Sequence, residues 1–216
     1  MTREQPLTRH EPAGARTLAG LGVILLVATL LVGGAWHYTR ERIADNSARR
    51  TLAEISTVLP ASLYDNEPQK DLVLLDTGSG QHVAVYRARR NGNAVAAVLT
   101  VIAADGYVGP IRMLVGIGAD GRVLGVRVTA HTETPGIGAA IATEPSAWLA
   151  GFAGLSLGAP PEVRWQLRAD GGDFDAIAGA TVSSRAVVGG LRRAMQYFTT
   201  HRDEIFAPSA PGTEAP

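Results

Sequence analysis

The chain has 216 residues, with 20 lysine and arginine side chains set against 20 aspartates and glutamates, and no cysteine. That length suits one ordinary domain with appendages, and the charge balance gives no global bias toward nucleic acid. The missing thiols exclude disulfides, thiolate zinc sites, iron–sulfur clusters ligated by this chain and cysteine nucleophiles.

After a short tail, residues 1–16, the first organising feature is "TLAGLGVILLVATLLVGGAWHY", Thr17 to Tyr38, which carries no Asp, Glu, Lys or Arg. At about 1.5 Å per residue it reaches roughly 30 Å, the thickness of a bilayer's hydrocarbon core, so residues 17–38 read as a transmembrane helix. Trp36 and Tyr38 close it at interfacial depth. The small residues of "VGGA" suit a signal-peptide cleavage site, but the apolar run is longer than a signal core, which favours an uncleaved anchor. Arg3, Arg9 and Arg16 before it nearly balance Arg40, Arg42, Arg49 and Arg50 after it, so the charges do not orient the anchor.

Residues 39–70 read as a juxtamembrane helix and linker. Ile43, Leu52, Ile55 and Leu59 fall at loosely helical spacing up to Pro60, with the charges on a solvated face. Tyr64 to Lys70 is polar and contains Pro68.

From Asp71 short valine- and alanine-rich runs alternate with turn dipeptides. "HVAVYRARR" and "AVAAVLTVIA" flank Asn91-Gly92, and "IRMLVGIGA" and "RVLGVRVTA" flank Asp120-Gly121. Both read as hairpins, which gives at least four strands in one antiparallel, twisted sheet. A short helix is expected at "EPSAWLAGF", with Trp148, Leu149 and Phe152 on its apolar side, then a strand at "VRWQLRAD". Val187, Val188, Leu191, Met195 and Phe198 mark a last helix, whose first turn Ser183 or Ser184 can cap. Residues 207–216, "APSAPGTEAP", are Pro-rich and small and read as a disordered tail. Strands followed by a packed helix define an α+β domain over residues 71–206, about 140 residues and large enough to bury its own core.

"DFDAIAGATVSSRAVV", Asp173 to Val188, carries the candidate chemistry. Thr181 is a secondary hydroxyl beside Gly179 and Ala180, just ahead of a helix whose free N–H groups and dipole favour an anion. Arg185 is placed to add a charge-assisted contact. On residue types alone, a plain helix cap is the competing reading. "DFDAIAGAT" is similar to the Asp-x-x-(Ser/Thr)-Gly-Ala-(Ser/Thr) signature of proteins that a flavin transferase modifies, joining the phosphate of FMN to the final hydroxyl. Asp175, Gly179, Ala180 and Thr181 match it, and Ala178 departs from it.

The wider match is more specific. "GYVGPIRMLVGI", "GVRVTAHTETPGIGAAI", "SAWLAGF" and "GGDFDAIAGATVSSRAVV" resemble, in order and approximate spacing, the G subunit of the Rnf electron transport complex. The C subunit of the sodium-translocating NADH:quinone reductase shares the FMN-binding domain but is typically longer. The resemblance implies a single-pass protein of the bacterial inner membrane with a cytoplasmic tail and a periplasmic flavin domain. It also implies covalent FMN on Thr181, maturation by a flavin transferase, and polytopic and iron–sulfur partner subunits in an ion-translocating complex coupling ferredoxin and NAD. Such a chain is an electron carrier with no complete active site of its own and no nucleic-acid partner.

"HTETPGIG" reads as the second wall of that flavin site. Pro135-Gly136 suits a type II turn, Gly138 would admit a flat ring, and His131, Glu133 and Thr134 offer hydrogen-bonding groups. A His131/Glu133 metal site lacks a third ligand. Expected cofactor-binding positions are therefore Thr181, Asp175, Gly179, Ala180, Ser183, Glu133, Thr134 and Gly136. The sequence is also compatible with a membrane-tethered FMN-binding sensory or regulatory module and with a non-redox assembly factor.

Overall fold

The computed structural model describes residues 13–76, 82–143 and 145–207. Residues 1–12 of the expected tail and 208–216 of the expected carboxyl-terminal tail lie outside the described residues. The chain divides into two compact units, with the boundary at Ala48/Arg49.

The anchor and the juxtamembrane helix form one unbroken helix, α1 (Ala13–Val58). No proline or turn residue interrupts it before Pro60, and Gly33-Gly34 alone does not end a helix of this apolarity. Within it Gly20–Tyr38 is long and apolar enough to cross a membrane, and none of that window is buried in protein.

The second unit is built on five strands: β1 (Leu72–Asp76), β2 (His82–Arg90), β3 (Asn93–Ala103), β4 (Ile111–Gly118) and β5 (Val123–Ala130). They pair in sequence order as an antiparallel meander. Both turn dipeptides act as expected. Asn91 and Gly92 take φ of 52° and 79°, the left-handed pair that matches strand twist in a two-residue hairpin. Gly121 has φ 79°, and Gly118 N donates to Arg122 O at 2.8 Å across the second turn.

Alternation along the strands sorts the core into two faces. Ala97, Leu99 and Ala103 of β3 and Ile111, Met113, Val115 and Ile117 of β4 face the last long helix, α3 (Thr181–Thr200). There Val187, Val188, Leu191, Met195 and Phe198 supply the apolar stripe read from the sequence. The opposite face, Ala88, Ala96, Val98 and Leu114, is covered by Ile55, Val58 and Leu59 at and just beyond the end of α1. A Cβ on Gly125 would stand 2.8 Å from Val58 Cα, so the missing side chain is what lets the helix end seat. Full burial of each large aliphatic group contributes about 1.5–3 kcal/mol, so Ile55, Val58 and Leu59 add several kcal/mol by closing this second, smaller face.

The strand expected at "VRWQLRAD" does not form. Two 3-10 turns, Glu162–Arg164 and Arg168–Asp170, flank a single parallel bridge between Leu167 and Phe174. Arg164 pairs with Asp173 and donates to Gly171 O at 2.8 Å, folding the segment on itself before it can join the sheet. Its alternating Trp165 and Leu167 are buried by packing instead, with Trp165 and Phe174 ring centroids 4.8 Å apart. The expected "EPSAWLAGF" helix is one turn, α2 (Ala147–Ala150), capped by Ser146 Oγ accepting from Leu149 N at 3.1 Å. A final turn, α4 (Arg202–Ile205), follows α3.

Candidate functional site

The approach to Thr181 is a tight turn. Ala180 N donates to Ile177 O at 2.9 Å, and Gly179 sits at φ 80°, where a side chain would be strained. Ala180 is the N-cap of α3 and offers no side-chain acceptor. Neither Ser183 nor Ser184 caps the first turn, contrary to expectation, because both lie inside the helix and their hydroxyls bond elsewhere. Ser184 Oγ accepts from Ile177 N at 3.1 Å and so fastens the incoming turn. Ser183 Oγ donates to Glu133 Oε2 at 2.5 Å. The N–H groups of Thr181, Val182 and Ser183 consequently have no partner among the described residues. Thr181 itself is exposed.

The second predicted segment stands beside the first. Ile137 N donates to Thr134 O at 3.2 Å with Gly136 at φ 76°, which is the type II turn expected of Pro135-Gly136. Glu133 is only 3% exposed and bridges three elements. One carboxylate oxygen takes the Ser183 hydroxyl, and the other accepts from Val108 N at 3.2 Å. The Glu133 backbone N–H donates to His131 Nδ1 at 3.2 Å, so His131 shapes the loop. Gly138 does not admit a flat ring: the place of its Cβ lies 2.7 Å from Glu133 Oε2. Its smallness makes room for the carboxylate.

Asp175 is engaged away from the Thr181 hydroxyl. Its side chain is exposed and pairs with Arg168 at 3.2 Å, while its carbonyl accepts from Trp148 Nε1 at 2.7 Å. Arg185 also turns away, engaging Asp170 at 2.7 and 3.0 Å, and that hydrogen bond holds the Asp170 carboxyl below its ordinary value. Thr181, Gly179, Ala180, Ser183, Glu133, Thr134 and Gly136 are thus gathered on two adjoining loops. A Cβ on Gly179 would meet Ile137 Cγ2 at 3.7 Å, which fixes how close the loops run. Ile137, 53% exposed, and Val182, 40% exposed, leave apolar surface beside the hydroxyl. Two contacts beside these loops have no signal in the sequence beyond "GYVG" and a tryptophan on a one-turn helix: the Val108 N–H that completes the Glu133 bracket and the Trp148 indole that holds the Asp175 carbonyl.

An exposed hydroxyl at a helix start, three N–H groups without partners among the described residues and an adjoining apolar wall offer the kinds of contact that an anion and a flat ring take. Residues 106–196, which include both loops, match the family model for the FMN-binding domain, and this part of the chain is an FMN-binding domain.

The G subunit of the ion-translocating oxidoreductase complex of Cereibacter sphaeroides is 45% identical over 188 residues, covering 87% of this chain and 85% of that one. The G subunit of Pseudomonas aeruginosa is 42% identical, over 87% of this chain and 90% of its own. That of Aliivibrio fischeri is 36% identical over 86% and 90%. The chain belongs to the family of G subunits of the ion-translocating oxidoreductase complex.

Proposed function

We propose that this chain is the flavoprotein subunit of an ion-translocating electron transport complex of the bacterial inner membrane, with FMN esterified through its phosphate to Thr181. The observation that carries the reading is the exposed Thr181 hydroxyl at the start of α3, beside backbone N–H groups without partners among the described residues. A phosphodiester at this position is an anion held by N–H groups and by the positive end of the helix dipole, which contributes about 0.3–1 kcal/mol at an exposed site. Bound there, FMN supplies one- and two-electron redox chemistry.

The chain's own residues supply attachment and position. Gly179 and Ala180 leave Thr181 open to a flavin transferase, and Ala178, where the attachment signature has Ser or Thr, presents only a methyl group. Ser184 and Trp148 hold the turn that presents the hydroxyl. Glu133 and Ser183 lock the Thr134–Ile137 turn against α3, and Ile137 and Val182 offer apolar contact to a ring. Gly20–Tyr38 anchors the domain, which we place on the periplasmic side. The electrons relayed come from a ferredoxin and NAD couple through the membrane and iron–sulfur subunits of the complex.

The test is to replace the chain by its Thr181→Ala variant in the complex and measure ferredoxin:NAD electron transfer in membrane vesicles. Retained assembly with electron transfer lost is expected. Undiminished transfer would remove the redox role, and a sensory or assembly role would then stand in its place.

A further inference from the structure

The face of α3 that starts at Thr181 continues through Arg185, Val188 and Arg192, at steps of four, three and four residues. From Arg185 onward it forms one wall of a cleft of about 360 Å³, with Asp105, Gln166 and Asp170 among the residues opposite. Three guanidinium groups and two carboxylates line this space. Arg185 is matched by Asp170, and Arg193 by Asp105 at 3.1 Å. The Arg192 side chain makes no hydrogen bond or ion pair with any described residue, and its Nε is buried without an acceptor. A guanidinium carries five donors and accepts nothing, and an unmet donor out of water costs about 1–3 kcal/mol. The cleft therefore holds one more positive than negative group and one buried donor, Arg192 Nε, without an acceptor.

We propose that this cleft is a docking site for a single carboxylate side chain of a neighbouring protein subunit, received by Arg192. A carboxylate matches the planar guanidinium fork and the single excess charge. A phosphate dianion would set its second charge against Asp105 and Asp170. Val163, 70% exposed next to Gln166, extends the contact with apolar surface of the kind a protein partner covers. At about 1.5 Å per residue, Arg185 lies roughly 6 Å and Arg192 roughly 17 Å along the helix from Thr181. On the flavin reading above, a protein docked here stands close enough to the attachment point to exchange electrons with it.

The experiment uses the full chain co-expressed with its complex. Lys70 is the only lysine in the sequence and already pairs with Glu67 at 2.6 Å, so Arg192→Lys introduces one new amine in the cleft. Carbodiimide treatment of the purified Arg192→Lys complex is expected to give an amide between the introduced amine and an Asp or Glu of another subunit, formed with loss of one water. Arg192→Glu is expected to reduce co-purification at least about tenfold, while Arg202→Glu, a charge reversal elsewhere on the exposed surface, leaves it unchanged. Circular dichroism confirms that each variant is folded.

Co-purification of Arg192→Glu at the wild-type level overturns the proposal. So does a cross-link confined to Asp105 or Asp170 of the same chain. Thermal stabilisation by inorganic phosphate that Arg192→Gln abolishes, with assembly intact, would make this a phosphate site and equally overturn it. In-gel flavin fluorescence of the same bands reports attachment separately: a dark wild-type band speaks against the flavin reading and leaves the docking result standing.

Discussion

Glu133→Gln tests the bracket that joins the two loops. The carboxylate is an acceptor at both oxygens and lies between two donors, the Ser183 hydroxyl at 2.5 Å and the Val108 N–H at 3.2 Å, with 3% of the residue exposed. A glutamine has the same shape, but only its oxygen accepts, so with that oxygen on Val108 N–H its NH2 faces the Ser183 oxygen, which takes the bond only by turning its own hydrogen away. A charge-assisted bond becomes a neutral one and the buried Ser183 O–H loses its acceptor, a loss of about 2 kcal/mol. For a domain of this size that lowers the melting temperature by roughly 4–8 °C. The assay is a thermal melt of the detergent-solubilised full chain followed by near-ultraviolet circular dichroism, to which buried Trp165 contributes. Ser183→Ala removes the partner hydroxyl, and the double variant should fall short of the two single losses added together, because both act on one contact. A Glu133→Gln melt within about 1 °C of wild type, or strict additivity in the double variant, would refute the reasoning.

Gly179→Val places a β-branched side chain at φ 80° and should destabilise the domain by about 1–2 kcal/mol, read as a lower denaturant midpoint; an unchanged midpoint would mean that the turn relaxes freely. Gly125→Ala drives a methyl group toward the Val58 backbone, at 2.8 Å from its Cα, and should cost about 1–3 kcal/mol in the same assay. Asp71 gives the acid response. Burial alone would raise its carboxyl, but hydrogen bonds and charge from Arg89 and Arg87 outweigh that and hold it below its usual 3.8. A depressed folded value stabilises fully above the unfolded value and is lost as pH falls through the folded one. The melting temperature should therefore drop as pH falls below about 4, and the drop should be smaller in Asp71→Asn.

Much of this architecture was legible because its signals are local. Asn91-Gly92 and Asp120-Gly121 set two hairpins, and the valine and leucine stripe set α3. The Thr134–Ile137 turn followed from Pro135-Gly136 alone. What escaped depends on contacts far apart in sequence. Ile55, Val58 and Leu59 cover a sheet face built of Ala88, Ala96, Val98 and Leu114, and small residues such as these do not announce a buried surface. "VRWQLRAD" alternates as a strand does, yet Arg164 and Asp173 close the segment locally. Ser183 looks like a cap until a glutamate 50 positions earlier claims its hydroxyl. Glu133 and Ser183 each stood out in the sequence but not as partners, since nothing in the spacing of two loops says which side chains meet.

The most direct test of the central claim is peptide mass mapping of the chain purified from cells that hold a competent flavin transferase. The account predicts that the peptide containing Thr181 carries the mass of FMN less one water, and that Thr181→Ala abolishes the addition. Recovery of that peptide unmodified, under conditions where the transferase loads another substrate, would contradict it.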